Sequence, residues 1–146
     1  MTTPGPGQSL FAFVRHWSRR APAEDDELAE RGRSVLVTEA VHALTHRGDP
    51  ATVNAIAREI AIDQSGASRL IKNATQAGYL TMRPGATDAR VRTATITPAG
   101  HILLDQAHAW QEQVFAQLTA GWSDRRRHEF HRAMTDLMSR SRTLDH

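Results

Sequence analysis

The chain has 146 residues, enough for one domain with extensions, and its 18 Lys and Arg against 16 Asp and Glu leave too small an excess to argue alone for a nucleic-acid partner. It has no cysteine, which excludes a disulfide scaffold, a cysteine-type zinc site and regulation by thiol oxidation. No apolar run is long enough to span a bilayer and the N-terminus lacks a signal-peptide core, so a cytoplasmic location is expected.

Met1 to Gln8 is rich in Gly, Pro and Thr and is expected to be a disordered lead-in. Ser9 is the expected cap of a first helix whose apolar residues fall at Leu10, Phe13, Val14 and Trp17, ended by Pro22 at the latest. Ala23 to Asp26 reads as an acidic link. A second helix runs from about Glu27 to His46, with a buried face that includes Val37, Ala40, Val41 and Leu44, and Gly48-Asp49-Pro50 breaks it.

Thr52 can cap a short helix with apolar residues at 53, 56, 57 and 60. Ala61-Ile62 leaves room only for a turn before the next cap, Asp63. Beyond Asp63, Ala67, Leu70, Ile71 and Ala74 keep the helical period, while Gln64, Ser65, Ser68, Arg69, Lys72, Asn73 and Gln76 occupy the other face. Two short helices with a tight turn make a helix-turn-helix, which places its second helix in the major groove. A solvated helix face has the same composition, so this segment alone does not decide.

Gly78 stands where a C′ glycine ends a helix. Tyr79–Arg83 and Arg92–Ile96 show partial apolar/polar alternation and predict two strands, joined by the turn-rich loop from Pro84 to Val91. That is a β-wing behind a helix-turn-helix. Thr97-Pro98 then gives an N-cap followed by proline at N1, a strong helix start. Between Arg58 and Arg92 the basic residues are Arg58, Arg69, Lys72, Arg83, Arg90 and Arg92, against Glu59, Asp63 and Asp88. This local positive excess suits a phosphate backbone. Ala99, Leu103, Ala107, Trp110, Val114 and Leu118 line one long helix that Gly121 breaks. Ser123 or Asp124 can cap a last helix carrying Phe130, Met134, Leu137 and Met138.

Ala77-Gly78-Tyr79-Leu80, then Asp88-Ala89-Arg90, then Ile96-Thr97-Pro98-Ala99-Gly100 resembles the winged-helix core of the multiple antibiotic resistance regulator (MarR) family. Ser68-Arg69-Leu70-Ile71 sits where that family's recognition helix carries a similar run. The match spans roughly Val53 to Gly100, about a third of the chain. One departure is Gly66 in the first turns of the reading helix, which costs about 1 kcal/mol of helix propensity relative to Ala and either allows close approach to DNA or loosens that turn.

The fold class expected is mainly α, an α+β winged helix-turn-helix with a helical dimerisation region built from the N- and C-terminal helices. The expected divisions are a lead-in over 1–8, support helices over 9–48, the DNA-binding core over 49–97 and dimerisation helices over 98–146. The resemblance implies a homodimer, whose two reading helices would lie roughly 34 Å apart on double-stranded DNA. Gln64, Ser65, Ser68 and Arg69 would face the major groove, and Lys72, Asn73 and Arg83 would touch phosphates. By resemblance, Arg90 would enter the minor groove. Asp88 would orient the wing by pairing with an arginine, or serve simply as a turn residue. The resemblance also implies a small aromatic effector, with His16, Trp17, His42 and Trp110 bordering its pocket, although tryptophans at such spacings are more often core.

The pairs His42/His46, His101/His108 and His128/His131 have helical spacings compatible with metal binding. A histidine-liganded metal sensor on the same fold is therefore one alternative, and a protein-interaction module without specific DNA binding is another. No local spacing forces three ligands together, and no metal or cofactor is assigned. The chain has no nucleophile elbow, P-loop or dinucleotide fingerprint, and His128-Glu129-Phe130-His131 lacks the zinc-protease spacing, so no enzyme is expected. Asn73-Ala74-Thr75 is a chance glycosylation triplet. The sequence predicts a ligand-responsive dimeric repressor.

Overall fold

A computed structural model describes residues 2–18 and 26–144 of the protein. The expected end at Pro22 and residues 23–25 of the acidic link lie outside the described residues. The elements in order are α1 (Pro6–Ser18), α2 (Asp26–His46), α3 (Val53–Glu59), α4 (Gln64–Gln76), β1 (Leu80–Pro84), β2 (Arg92–Ile96), α5 (Pro98–Leu118) and α6 (Asp124–Leu144). They fall into two compact units, Met1–Asp105 and Gln106–His146.

The core of the first unit is built from one face of α2 and the inner faces of the elements that follow. Val37, Ala40, Val41 and Leu44 of α2, spaced three and four residues apart, are all buried. They meet Ile56 of α3, Ile71 and Ala74 of α4, Leu80 of β1 and Ala94 of β2. Each fully buried Val, Leu or Ile contributes roughly 1.5–3 kcal/mol, so this small cluster is what holds α3 and α4 to the long helix. Thr38, beside Val37, is also fully buried, and its hydroxyl has no hydrogen-bond partner among the described residues.

The strands pair antiparallel with Leu80 opposite Ile96 and Pro84 opposite Arg92. β1 thus begins at Leu80, one residue later than expected, because Tyr79 is taken up in ending α4. The hairpin has a third attachment. The Ala94 amide donates to the Ala51 carbonyl at 2.8 Å, and Thr52 bridges to Thr93 just ahead of α3. The wing is therefore tied to the entry of the helix-turn-helix as well as to its exit.

α1 departs from expectation at its start. It begins at Pro6 rather than after Ser9, so the second half of the supposed lead-in is helical. Proline's fixed φ suits the first helical position, and the Gln8 side chain accepts from the Gly5 amide at 3.0 Å, satisfying an end that Ser9 was expected to cap. None of its residues is buried: Leu10, Phe11, Phe13 and Val14 all stand exposed, Phe11 at 65%.

In the second unit, Ser123 proves to be the cap of α6, its Oγ accepting from the Arg126 amide at 3.1 Å. Phe130 stacks on Phe115 at 6.1 Å and meets Trp122 edge-on at 5.6 Å. Arg127 donates to the hydroxyl and the carbonyl of Thr119, both at 3.1 Å, which closes the end of α5 onto the start of α6. α6 buries none of its residues, and Phe130, Met134, Leu137 and Met138 remain exposed along it.

Candidate nucleic-acid interface

The helix-turn-helix is held by caps that lie within a few residues of the groups they satisfy. Thr52 Oγ1 accepts from the Ala55 amide at 3.1 Å and starts α3. The turn then uses Ala61 in the left-handed region, at φ 57°. Asp63 Oδ1 accepts from the Gly66 amide at 2.8 Å and starts α4. This explains Gly66. A Cβ there would lie 2.7 Å from that oxygen, so the glycine gives the capping carboxylate its place over the first turn. Ser65 Oγ donates to the other oxygen, Oδ2, at 3.3 Å.

At the far end, Gly78 adopts φ 89°. Its amide donates to the Thr75 carbonyl at 3.0 Å, and the Tyr79 amide donates to the Ala74 carbonyl at 2.9 Å. These are the two bonds of a Schellman motif, so the helix stops within one residue and turns the chain directly into β1. Thr97 then clasps the same corner. Its amide donates to the Tyr79 carbonyl at 3.0 Å, its hydroxyl donates to the Gly78 carbonyl, and its Oγ1 accepts from the Gly100 amide at 3.1 Å to start α5.

With both ends fixed, α4 has one sided chemistry. Ala67, Ile71 and Ala74 are buried. Gln64, Ser65, Ser68, Arg69 and Lys72 are exposed, and Asn73 is half-buried at the edge of that face. Arg83 is exposed on β1. In the wing loop, Asp88 contacts both the backbone and the side chain of Arg90. Its Oδ1 accepts from the Arg90 amide at 3.0 Å, which is a turn role, and lies 3.6 Å from Arg90 Nε. The Arg90 side chain is 95% exposed, so its charge stays in solvent at the wing tip. The Gly85 amide donates to the Val91 carbonyl at 2.6 Å and closes the loop base.

One ion pair had no signal in the sequence. Arg47, just past α2, forks onto Glu59 at the end of α3, with Nη1–Oε1 at 3.0 Å and Nη2–Oε2 at 2.7 Å. The Glu59 carboxylate raises the guanidinium's pKa above its ordinary value, through the hydrogen bonds first. The partners are twelve residues apart and share no periodicity, so only the packing of α3 on α2 brings them together. Arg92 likewise spends one donor on the Met82 carbonyl at 3.2 Å, across the hairpin.

Of the residues named for an effector pocket, His16, Trp17 and His42 belong to the first unit and Trp110 to the second. His16 and Trp17 make an edge contact at 5.6 Å on α1. His42 stacks on His46 at 6.1 Å in the first unit, and Trp110 is an exposed residue of the second. Among the described residues no cluster of three His, Asp or Glu side chains is placed to hold a metal ion. No helix among them is long and apolar enough to cross a membrane.

Two short helices joined at a left-handed turn, followed by an anchored two-stranded hairpin with a basic tip, define a winged helix-turn-helix. Residues 27–91, from the start of α2 to the wing loop, match the sequence model of the MarR family. That family is one of transcription regulators rather than enzymes. No curated protein sequence matches the chain. Among solved structures, a MepR mutant from a multidrug-resistant S. aureus clinical isolate is similar at a TM-score of 0.69 and 18% identity, over 94% of this chain and 98% of that one. A MepR mutant bound to an oligodeoxyribonucleotide is similar at 0.55 and 19%, over 93% and 98%. Bordetella bronchiseptica BpsR, whose DNA binding is described as regulated by 6-hydroxynicotinic acid, is similar at 0.60 and 17%, over 94% and 96%. At these identities the likeness is one of fold.

Proposed function

We propose that the chain is a sequence-specific DNA-binding regulator, a ligand-responsive repressor that acts as a homodimer on a near-palindromic operator. The observation that carries this is the exposed Gln64, Ser65, Ser68 and Arg69 on one face of a helix capped at both ends, beside a wing whose Arg90 side chain is almost wholly exposed. A polar face on a rigid helix can enter a major groove without reordering, and these side chain types bond base edges there. Lys72 and Asn73 on α4 and Arg83 on β1 would touch backbone phosphates, contacts that fix register without reading sequence. Asp88 holds the wing turn, and Arg90 is the residue for the minor groove. The MepR structure with an oligodeoxyribonucleotide and the BpsR description support DNA binding and effector control on this fold.

Dimerisation is supported by the exposed apolar residues of α1 and α6. Among the described residues four on α1 and five on α6 lie in solvent in the single chain, surfaces that a second copy would cover. An effector would then favour a separation of the two reading heads that no longer fits the operator.

The test is selection of binding sites from a random duplex library. A near-palindrome should emerge, with Arg69→Ala relaxing one base position in each half-site at a cost of about 1–3 kcal/mol. Binding that enriches no sequence and fades uniformly with salt would leave only non-specific attraction and would overturn the proposal.

A further inference from the structure

The chain carries its fixed positive charge almost entirely on arginine. Of its 18 Lys and Arg, 17 are Arg, and the single lysine is Lys72. That lysine is exposed on α4, on the polar face that also carries Ser68 and Arg69, and it follows the buried Ile71. The two cations differ in chemistry. A guanidinium keeps its charge, whereas the ammonium of lysine can give up a proton and become an amine that is open to acylation, which removes the charge. The one position where the chain departs from arginine is therefore one where charge can be removed covalently, and it lies on the face of α4 assigned above to DNA.

The surroundings of Lys72 favour an anionic reagent. α4 holds no Asp or Glu, Asp63 caps its far end, and among the described residues Lys72 forms no ion pair. Arg69 precedes it at the i,i+3 spacing of helix neighbours. A cationic surface without carboxylates raises the local concentration of anions in general, so the face that suits DNA phosphates also draws a phosphorylated acyl donor. In the free chain the amine is open to that donor, and a DNA backbone laid against α4 would cover it.

We propose that Lys72 is an acylation site, that the donor is an acyl phosphate, and that acylation releases the chain from DNA. The Nζ lone pair attacks the carbonyl carbon of the donor. The new C–N bond replaces the C–O bond to phosphate, and phosphate leaves with that electron pair. Of the two protons that the ammonium gives up, one ends on phosphate and one in the buffer. A neutral amide then stands where there was a positive charge. The release step rests on the DNA-binding reading given above; the acylation step does not.

The experiment treats the full chain with acetyl phosphate at pH 8 and low salt and follows fragment mass spectra. Lys72 should gain an acetyl group about threefold or more faster than Nα-acetyl-lysine methylamide in the same tube, and the excess should vanish at about 0.5 M salt. Equal rates at low salt would make Lys72 an ordinary surface amine and would overturn the site.

The acetylated chain should bind duplex DNA about tenfold or more weakly than the untreated chain, with a shallower salt dependence. Lys72→Arg, whatever its starting affinity, should lose none of it on the same treatment. Acetylation of Lys72 with unchanged DNA affinity, or an equal loss in Lys72→Arg, would overturn the release. A phosphate contact is independent of sequence, so the assay uses an unrelated duplex beside a selected operator. Failure to select any operator would count against sequence-specific reading alone, and the mass spectra would still decide Lys72.

Discussion

The reading head and the terminal helices use apolar residues in opposite ways. From α2 to the wing, side chains at helical and strand spacing close on one another, and Ile56, Leu80, Val37 and Val41 have essentially no exposed surface. Along α1 and α6 the spacing is as regular, yet neither helix buries a single residue. Both regions are helical by pattern and by capping, so amphipathicity alone does not say what a helix will cover. The difference is whether a complementary face exists within the same chain. The reading head is complete as a monomer, and the terminal helices carry a surface suited to a partner.

This contrast can be broken most severely on α6. Each Met or Leu newly covered in an assembly would contribute roughly 1.5–3 kcal/mol, so Met134→Lys with Leu137→Lys should weaken self-association by at least about a hundredfold. Sedimentation of the double variant should show monomer where the parent shows dimer, while the unfolding of the reading head stays in place. A parent chain that is already monomeric would remove the contrast.

The complementary cut is in the core. Ile56→Ala removes a fully buried side chain where α3 meets α2 and α4, and should cost about 2–5 kcal/mol in chemical denaturation. The same substitution type at exposed Met138 should cost far less in the monomeric variant.

How much of this is legible from residues alone depends on the distance between the cause and its effect. Thr52, Asp63, Gly78 and Thr97-Pro98 each satisfy backbone groups a few residues away, so their roles follow from local rules. The α2 core face follows from its period. The start of α1 was misplaced because Ser9 and Pro6 both offer local start signals, and the proline, with Gln8 closing on Gly5, sets the helix earlier. The contacts that fix the wing and α3 in place were not legible. Arg47 finds Glu59 across a break, and Ala94 finds Ala51 across three elements, with no repeat to announce either. His42 and His46 were visible as a pair by spacing, but His101 joins them only through the packing of the wing root. For the polar face of α4, the helical period names the residues and the structure places Gln64, Ser65, Ser68, Arg69 and Lys72 in solvent.

Two smaller changes sharpen the comparison inside the reading head. Gly78→Ala forces a side chain into the left-handed region and should cost about 1–2 kcal/mol, measured by thermal unfolding. Thr38→Val removes a buried hydroxyl with no partner among the described residues and keeps the shape, so it should raise stability by about 1 kcal/mol. A loss of stability there would mean that the hydroxyl has a hydrogen-bonded role in solution.

The most direct measurement is a hydroxyl-radical footprint of the chain on the operator that selection yields. Two protected patches about one helical turn, roughly 10 base pairs, apart are predicted, with Arg90→Ala erasing the minor-groove protection at their flanks and leaving their centres. A single patch, or protection without fixed spacing that Arg69→Ala and Arg90→Ala leave unchanged, would contradict a paired reading head built on α4 and the wing.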